Sequence, residues 1–256
     1  MARYDHPPDR PHHDPAEEVS SCHAVSFVER GRFDLYHRGR RWRMDAATVF
    51  VTQPGLRYRC THVGRIPDDV TFSVHYSPEL MDDVQATIGR RWTRSVPATA
   101  LTNRLAYLRH RLAATAARGE AAMAATTLAG ELLAEIGGEA HGSTRLFSAG
   151  QVARYTRRVE IARQLLAERY AGPHTLEGTA RAAGMSPFHF SRVFRQLIGV
   201  PPHRYLVQVR LKHAAQRLRD GAGVTETCYA TGFGNLSHFI RTFRHTYGVR
   251  PSRYRH

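Results

Sequence analysis

The chain repeats itself. The run SPFHFSRVFRQLIGVPPHRY, which begins at Ser186, returns forty-nine positions later as NLSHFIRTFRHTYGVRPSRY, beginning at Asn235. Ten of the twenty aligned positions are identical: His189/His238, Phe190/Phe239, Arg192/Arg241, Phe194/Phe243, Arg195/Arg244, Gly199/Gly248, Val200/Val249, Pro202/Pro251, Arg204/Arg253 and Tyr205/Tyr254. A duplicated unit of this size restricts the C-terminal part of the molecule to two copies of one small module. It also points to a binding target that itself repeats.

The register of one copy predicts its fold. Ser186 suits an N-cap and Pro187 the first helical position, where its missing N–H costs nothing. A helix over 187–198 places Phe190, Val193, Phe194 and Leu197 on one stripe, the i, i+3, i+4, i+7 spacing of a buried side. At about 100° per residue, Phe188, Ser191, Arg192 and Arg195 fall opposite. Gly199 and Gly248 end the helix in the two copies. Upstream, residues 175–183 form a short Ala-rich helix capped by Thr175. Ala180, Gly184 four positions later and then apolar Met185, Phe190 and Val193 give helix-turn-helix spacing, the small residue allowing close approach and the glycine the tight turn. Cys228, Gly232 and Phe233 repeat the pattern with one extra turn residue, Gly234. The phenylalanines read as core. His189 and His238 sit at the stripe's edge, where packing or a phosphate contact fits better than ligation or base catalysis. Arg192 and Arg241 are either solvated or in contact with a polyanion, and their recurrence mid-face favours contact.

Residues 157–256, through AAGMSPFHFSRVFRQLIGVPPHRYL and YATGFGNLSHFIRTFRHTYGVRPSRYR, resemble the DNA-binding domain of the AraC/XylS family of bacterial transcription regulators. The resemblance implies an all-α tandem helix-turn-helix domain in which a long helix, here residues 202–219, joins two units that each insert their second helix into the major groove of double-stranded DNA. That helix is about 27 Å long at about 1.5 Å per residue, comparable with the roughly 34 Å between successive major-groove faces once flanking turns are included. Carried over by motif, the groove-facing positions are Phe188, Ser191 and Arg192 in the first copy. In the second they are Leu236, Ser237, His238, Ile240 and Arg241. Apolar Phe188, Leu236 and Ile240 depart from common family patterns and imply contacts to thymine methyls. Arg195, Arg244, Arg204 and Arg253, with the N-terminal ends of both helices, are expected to neutralise phosphates.

Charge agrees with this expectation. Of the 37 Lys+Arg and 22 Asp+Glu in 256 residues, residues 151–256 hold 18 and 5, a net of +13, leaving 19 and 17, a net of +2, for residues 1–150. The excess thus lies on the repeated part, the footprint of a polyanion binder. A membrane surface also attracts cations, but these arginines sit on short, glycine-punctuated helices rather than on one basic amphipathic helix. All the cations but Lys212 are arginines, which suit bidentate phosphate and guanine contacts. The cysteines, Cys22, Cys60 and Cys228, are scattered and include no CxxC pair, which argues against a disulfide framework. No apolar signal segment opens the chain and no run of eighteen apolar residues occurs, so a cytoplasmic protein is expected.

Residues 1–20 are rich in Pro, His and charge and are expected to form a disordered tail, with His12 and His13 too isolated to define a metal site. Residues 21–137 read as a sensor and dimerisation domain. Over 24–76 short apolar runs (24–28, 33–36, 49–51, 70–74) alternate with the breakers Arg30-Gly31, Arg38-Gly39, Asp45-Ala46, Pro54-Gly55 and Pro67-Asp68-Asp69, which suggests a small antiparallel β-barrel or sandwich. The wording VSFVERGRFDLYHRGRRWRMDAATVFVTQPGLRYRCTH is similar to the cupin-like sensor domain that precedes many AraC-type DNA-binding domains. Helices follow over 78–88, 102–117 and 120–136, the last two forming an antiparallel pair around Arg118-Gly119. Leu105, Leu108 and Leu112, then Met123, Leu128, Leu132 and Leu133, make stripes that either pack on the barrel or pair with a second subunit. Residues 138–150 read as a linker, and an Arg-rich helix over 151–170 opens the DNA-binding domain.

The leading expectation is a sequence-specific regulator of transcription that reads an asymmetric DNA site, tuned by its N-terminal domain. RNA polymerase, an unidentified small-molecule effector and a second copy of the chain, joined through the N-terminal helices, are further partners admitted by the resemblance. A non-specific architectural DNA binder also fits the charge. An enzyme does not fit. A metallo-cupin needs a His-x-His pair, a carboxylate and a later His, whereas His37, His62 and His75 stand singly on separate strands. Cys60 and His62 share a strand face and read as packed or exposed side chains rather than ligands. A DNA-repair alkyl acceptor needs a reactive cysteine, typically in a zinc cluster, which three isolated cysteines do not supply. No cofactor or metal is expected.

Overall fold

Alternating short apolar runs build the N-terminal unit. The computed structural model describes residues 1–5, 17–62, 68–88, 97–119, 122–137 and 146–254, and the chain divides into two units, Met1–Ser148 and Ala149–His256. In the first, nine strands are described: β1 (Ala2–Asp5), β2 (Glu18–Val19), β3 (His23–Arg30), β4 (Phe33–His37), β5 (Arg40–Met44), β6 (Thr48–Thr52), β7 (Arg57–His62), β8 (Val70–Tyr76) and β9 (Ala98–Ala100). They form two antiparallel sheets, ordered β1-β8-β3-β6-β9 and β2-β7-β4-β5. Val28, Phe50 and Ala98 from the first sheet and Phe33, Leu35 and Met44 from the second close on one apolar cluster. This is a sheet-on-sheet arrangement; the barrel expected from strand spacing is not closed among the described residues.

Helices α1 (Pro78–Ile88), α2 (Asn103–Arg118) and α3 (Ala122–Gly137) complete the unit. The Tyr76 hydroxyl donates to the Ala129 carbonyl of α3 at 3.1 Å, and the Arg109 guanidinium of α2 lies 5.8 Å from the Phe27 ring centre. Strand β3 is therefore covered on both faces, Val28 by the opposite sheet and Phe27 by a helix, which explains its nearly continuous apolar sequence. Arg104, early in α2, meets Glu131 at 3.3 Å and Glu135 at 2.9 Å, late in α3, so the pair is antiparallel. Of the two fates open to the leucine stripes, the described one is packing within the unit: Leu105, Leu108, Leu112, Leu128, Leu132 and Leu133 are buried. Met123, placed in the same stripe by periodicity, is exposed instead.

The composition of residues 1–20 misleads at both ends. Ala2–Asp5 pairs with β8 and Glu18–Val19 with β7, because strand edges can accept any backbone whatever its side-chain polarity. His12 and His13 lie outside the described residues, as does most of the expected linker. Helix α4 (Ala149–Glu168) begins inside the span assigned to that linker and ends two residues before Tyr170.

The second unit continues with α5 (Leu176–Ala182), α6 (Pro187–Ile198), α7 (Pro202–Arg219), α8 (Val224–Ala230) and α9 (Leu236–Tyr247), then a 3-10 turn at Pro251–Arg253. Its duplication is physical. Phe190 and Phe194 meet edge to face at 5.4 Å, Phe239 and Phe243 at 5.7 Å. The tyrosine of each RY tail then closes on the second phenylalanine: Tyr205 on Phe194 at 5.7 Å, Tyr254 on Phe243 at 5.1 Å. Each glycine cap donates its N–H to the arginine carbonyl four residues back, Gly199 to Arg195 and Gly248 to Arg244, both at 2.9 Å. The turn bonds repeat too, Met185 N–H to the Ala180 carbonyl at 2.9 Å and Phe233 N–H to the Cys228 carbonyl at 3.1 Å.

Helix α7 ties the two copies together. Arg210 donates to the carbonyls of Tyr170 at 2.8 Å and Gly172 at 2.9 Å, and His213 stacks on Tyr170 at 3.8 Å. From the other side Gly232, at φ +83°, approaches so closely that a Cβ there would stand 2.6 Å from the Ala171 carbonyl oxygen. The turn at 170–172 is thus held between the connecting helix and the second copy's own turn.

Candidate nucleic-acid interface

The local sequence fixes how each second helix presents its polar side. Helix α6 starts at Ser186 with Pro187 at its first position. Helix α9 starts at Asn235, whose side-chain oxygen accepts from the His238 N–H at 2.8 Å. Burying Phe190, Val193, Phe194 and Leu197 in one, and Phe239 and Phe243 in the other, leaves the opposite faces in solvent. Arg192, Arg195, Arg241 and Arg244 are all exposed there, as are Arg204 and Arg253 in the two tails. None of the six forms an ion pair with a described carboxylate. Six uncompensated guanidiniums, at matching positions in two copies, make a surface suited to a polyanion.

The other motif-derived positions divide. Phe188 is 80% exposed, and Ser237 and His238 are exposed. Ser191 is half-buried. Leu236 and Ile240 are half-buried, like Ser191: each packs in part against the cluster of Leu211, Ala214, Leu218, Phe239 and Phe243 and keeps part of its surface in solvent. The physical reason lies in helix periodicity. Leu236, Phe239, Ile240, Phe243 and Tyr247 follow i, i+3, i+4, i+7 and i+11, one continuous core stripe. The matching positions of α6 are Pro187 and Ser191, so only the second copy widens its core at these points.

The paired histidines also diverge. His189 is half-buried, its ring edge-on to Tyr155 at 5.4 Å and its Nδ1 3.5 Å from Arg192 Nη2. Burial, and then Arg192, Arg158 and Arg154, push its pKa below the ordinary histidine value. Cys228, in the small-residue slot beside the second turn, is buried; burial raises its thiol pKa, as suits a packing residue.

In the N-terminal unit the three single histidines serve separate local bonds. His37 donates to the Arg57 carbonyl at 2.7 Å, His62 pairs with buried Asp69 at 3.0 Å, and His75 stands between Cys22 Sγ at 3.4 Å and the Tyr4 hydroxyl at 3.2 Å. Among the described residues no group of three or more His, Cys, Asp and Glu side chains is placed to hold a metal ion. An open cavity of about 370 Å³ is lined by Glu17, His37, Arg38, Gln53, Leu56 and Arg57, among others, with Arg57 ion-paired to Glu17. Among the described residues no helix is long and apolar enough to cross a membrane.

Comparison with known proteins places the repeated part. A family model described as a helix-turn-helix domain matches residues 179–256. The HTH-type transcriptional regulator Rv1931c of Mycobacterium tuberculosis is 34% identical over 88 residues, which cover 34% of this chain and 34% of that protein. The HTH-type transcriptional regulator YijO of Escherichia coli K12 is 35% identical over 97 residues, covering 38% and 34%. The chain thus spans about a third of the length of the curated relatives it matches. A solved AraC-type transcriptional regulator from Chromobacterium violaceum is 26% identical, covering 40% of this chain and 93% of that one, with a TM-score of 0.38.

Proposed function

We propose that this chain, whose residues 179–256 are an AraC-type helix-turn-helix domain, is a sequence-specific regulator of transcription that reads double-stranded DNA. The observation that carries the reading is the twofold presentation of one constellation. Arg192 and Arg241 stand at the same position of two helices with the same glycine cap and the same buried phenylalanine pair. In this reading α6 and α9 enter successive major-groove segments on one side of the duplex. Arg192 and Arg241 contact guanine edges. Ser191, Ser237 and His238 supply polar contacts nearby, and Arg195, Arg204, Arg244 and Arg253 meet phosphates.

The two copies differ where they face outward, so the preferred site is asymmetric. Phe188 corresponds to Ser237. An exposed aromatic side chain in the first turn of α6 suits a thymine C5-methyl group, whereas the serine suits a hydrogen bond. Selection from a random duplex pool is expected to enrich two unlike segments about 10–10.5 base pairs apart. Replacing thymine by deoxyuridine in the segment read by α6 should weaken binding by the wild-type protein and leave a Phe188→Ala variant unaffected. A pool with no enriched sequence would instead favour the architectural, non-specific reading, which the net charge alone also satisfies.

The two antiparallel sheets and three helices of residues 1–137 are read as a cupin-like sensor that tunes DNA binding. Its open cavity, where Arg57 is paired with Glu17 and Arg38 stands nearby, offers a place for a small-molecule effector. Homodimerisation through the N-terminal helices, and RNA polymerase as the partner of the DNA-bound form, complete the proposal for a protein acting in the cytoplasm.

A further inference from the structure

We propose that α4 and the first turn of α6 together build a phosphate-binding site, in which Arg154, Arg158 and His189 grip one stretch of the DNA backbone beside the base-reading Arg192. The inference rests on the reading above that α6 lies against DNA, and it adds α4 to the contacting elements, a helix that the repeat does not include.

Tyr155 is the post around which the site is organised. Its side chain is buried. The Arg154 guanidinium lies 5.2 Å from its ring centre, and the His189 ring meets its edge at 5.4 Å. His189 in turn faces Arg192 Nη2 at 3.5 Å. Arg158 follows Arg154 by one helical turn and so shares its side of α4. Three guanidiniums and an imidazole from two helices therefore converge on one surface, and none of the three arginines is paired with a described carboxylate. Farther along α4, Glu160 is engaged by Arg163 at 2.8 Å and leaves this cluster uncompensated.

Grouping like charges is unfavourable in the free protein. The lowered pKa of His189, caused by burial and then by these same arginines, reflects that repulsion. An anion removes it, and the stacking on Tyr155 holds the guanidinium of Arg154 in place beforehand, so less side-chain freedom is lost on contact. A phosphodiester fits better than a free anion, because Arg192 and Arg195 continue the exposed basic face along α6. Contacts of this kind position a protein without reading sequence.

The test is the salt dependence of binding by the full chain, from about 50 to 200 mM, on the selected duplex and on a random one. The Arg154→Gln/Arg158→Gln double variant is expected to flatten the slope of log Kobs against log[salt] by about 0.9 per lost contact, roughly 1.8 in all, and equally on both duplexes. The Arg154→Lys/Arg158→Lys variant should retain the slope, because it keeps the charge. A glutamine variant that keeps the wild-type slope, whether or not its melting temperature falls, would overturn the inference and leave Arg154 a packing residue. A wild-type protein that binds neither duplex would overturn the regulator reading itself, a distinct failure.

Discussion

Replacing Gly232 with alanine should destabilise the C-terminal unit by roughly 2–5 kcal/mol, summing about 1–2 for a left-handed backbone and about 1–3 for overpacking. The overpacking arises because the new Cβ would stand 2.6 Å from the Ala171 carbonyl oxygen, backbone that cannot rotate away. Gly184 provides the control within the same molecule. It occupies the same place in the first copy at φ +64°, yet a Cβ there would meet nothing within 4 Å. Gly184→Ala is therefore expected to cost only the backbone strain, about 1–2 kcal/mol. Urea midpoints of the two variants separate the contributions; equal losses would mean that the approach to Ala171 is not rigid. Because domains are stable by only about 5–15 kcal/mol, a Gly232 variant near the upper figure would fail to fold at elevated temperature. A partly folded one would lose the fixed relation between the two copies that Arg210 and Gly232 impose on the 170–172 turn.

Arg241→Ala is expected to weaken binding to the selected duplex by about 5- to 150-fold, corresponding to about 1–3 kcal/mol for one bidentate base contact. Binding to random duplex should change far less. Mobility-shift titrations of both duplexes measure the two quantities together. Equal loss on all sequences would reassign Arg241 to the phosphate backbone. Arg241 is exposed, so the substitution removes little packing, and a stability effect should not obscure the result.

Most of the C-terminal architecture is legible because each copy states it independently. Helices over 187–198 and 202–219 coincide with α6 and α7, and Thr175 caps α5 by accepting from the Gly178 N–H at 3.0 Å. Leu236 and Ile240 carry two signals at once. Motif position assigns both to the groove face, while their spacing from Phe239 and Phe243 sets them along the core stripe, and the structure leaves both half-buried. In the N-terminal unit, runs such as 24–28 and 70–74 mark β3 and β8, whereas no apolar run marks β1 or β2. A strand of two to four residues added to an edge is fixed by its neighbour's backbone groups and leaves little trace in its own composition. Alternation also could not decide between a closed barrel and two stacked sheets, since both bury every second residue.

The cluster around Tyr155 was invisible for a different reason. Arg154 and His189 are thirty-five positions apart, on helices whose packing no local pattern reports. The sequence marks α4 as basic, but not which of its arginines face α6.

Guanine methylation interference on the selected duplex tests the central claim most directly, because a methyl group at N7 blocks the major-groove edge that arginine reads. Two groups of interfering guanines are expected, about one helical turn apart on the same side of the duplex, with interference lost from one group in Arg192→Ala and from the other in Arg241→Ala. A single group, two groups on opposite sides, or a pattern unchanged by both substitutions would contradict the account.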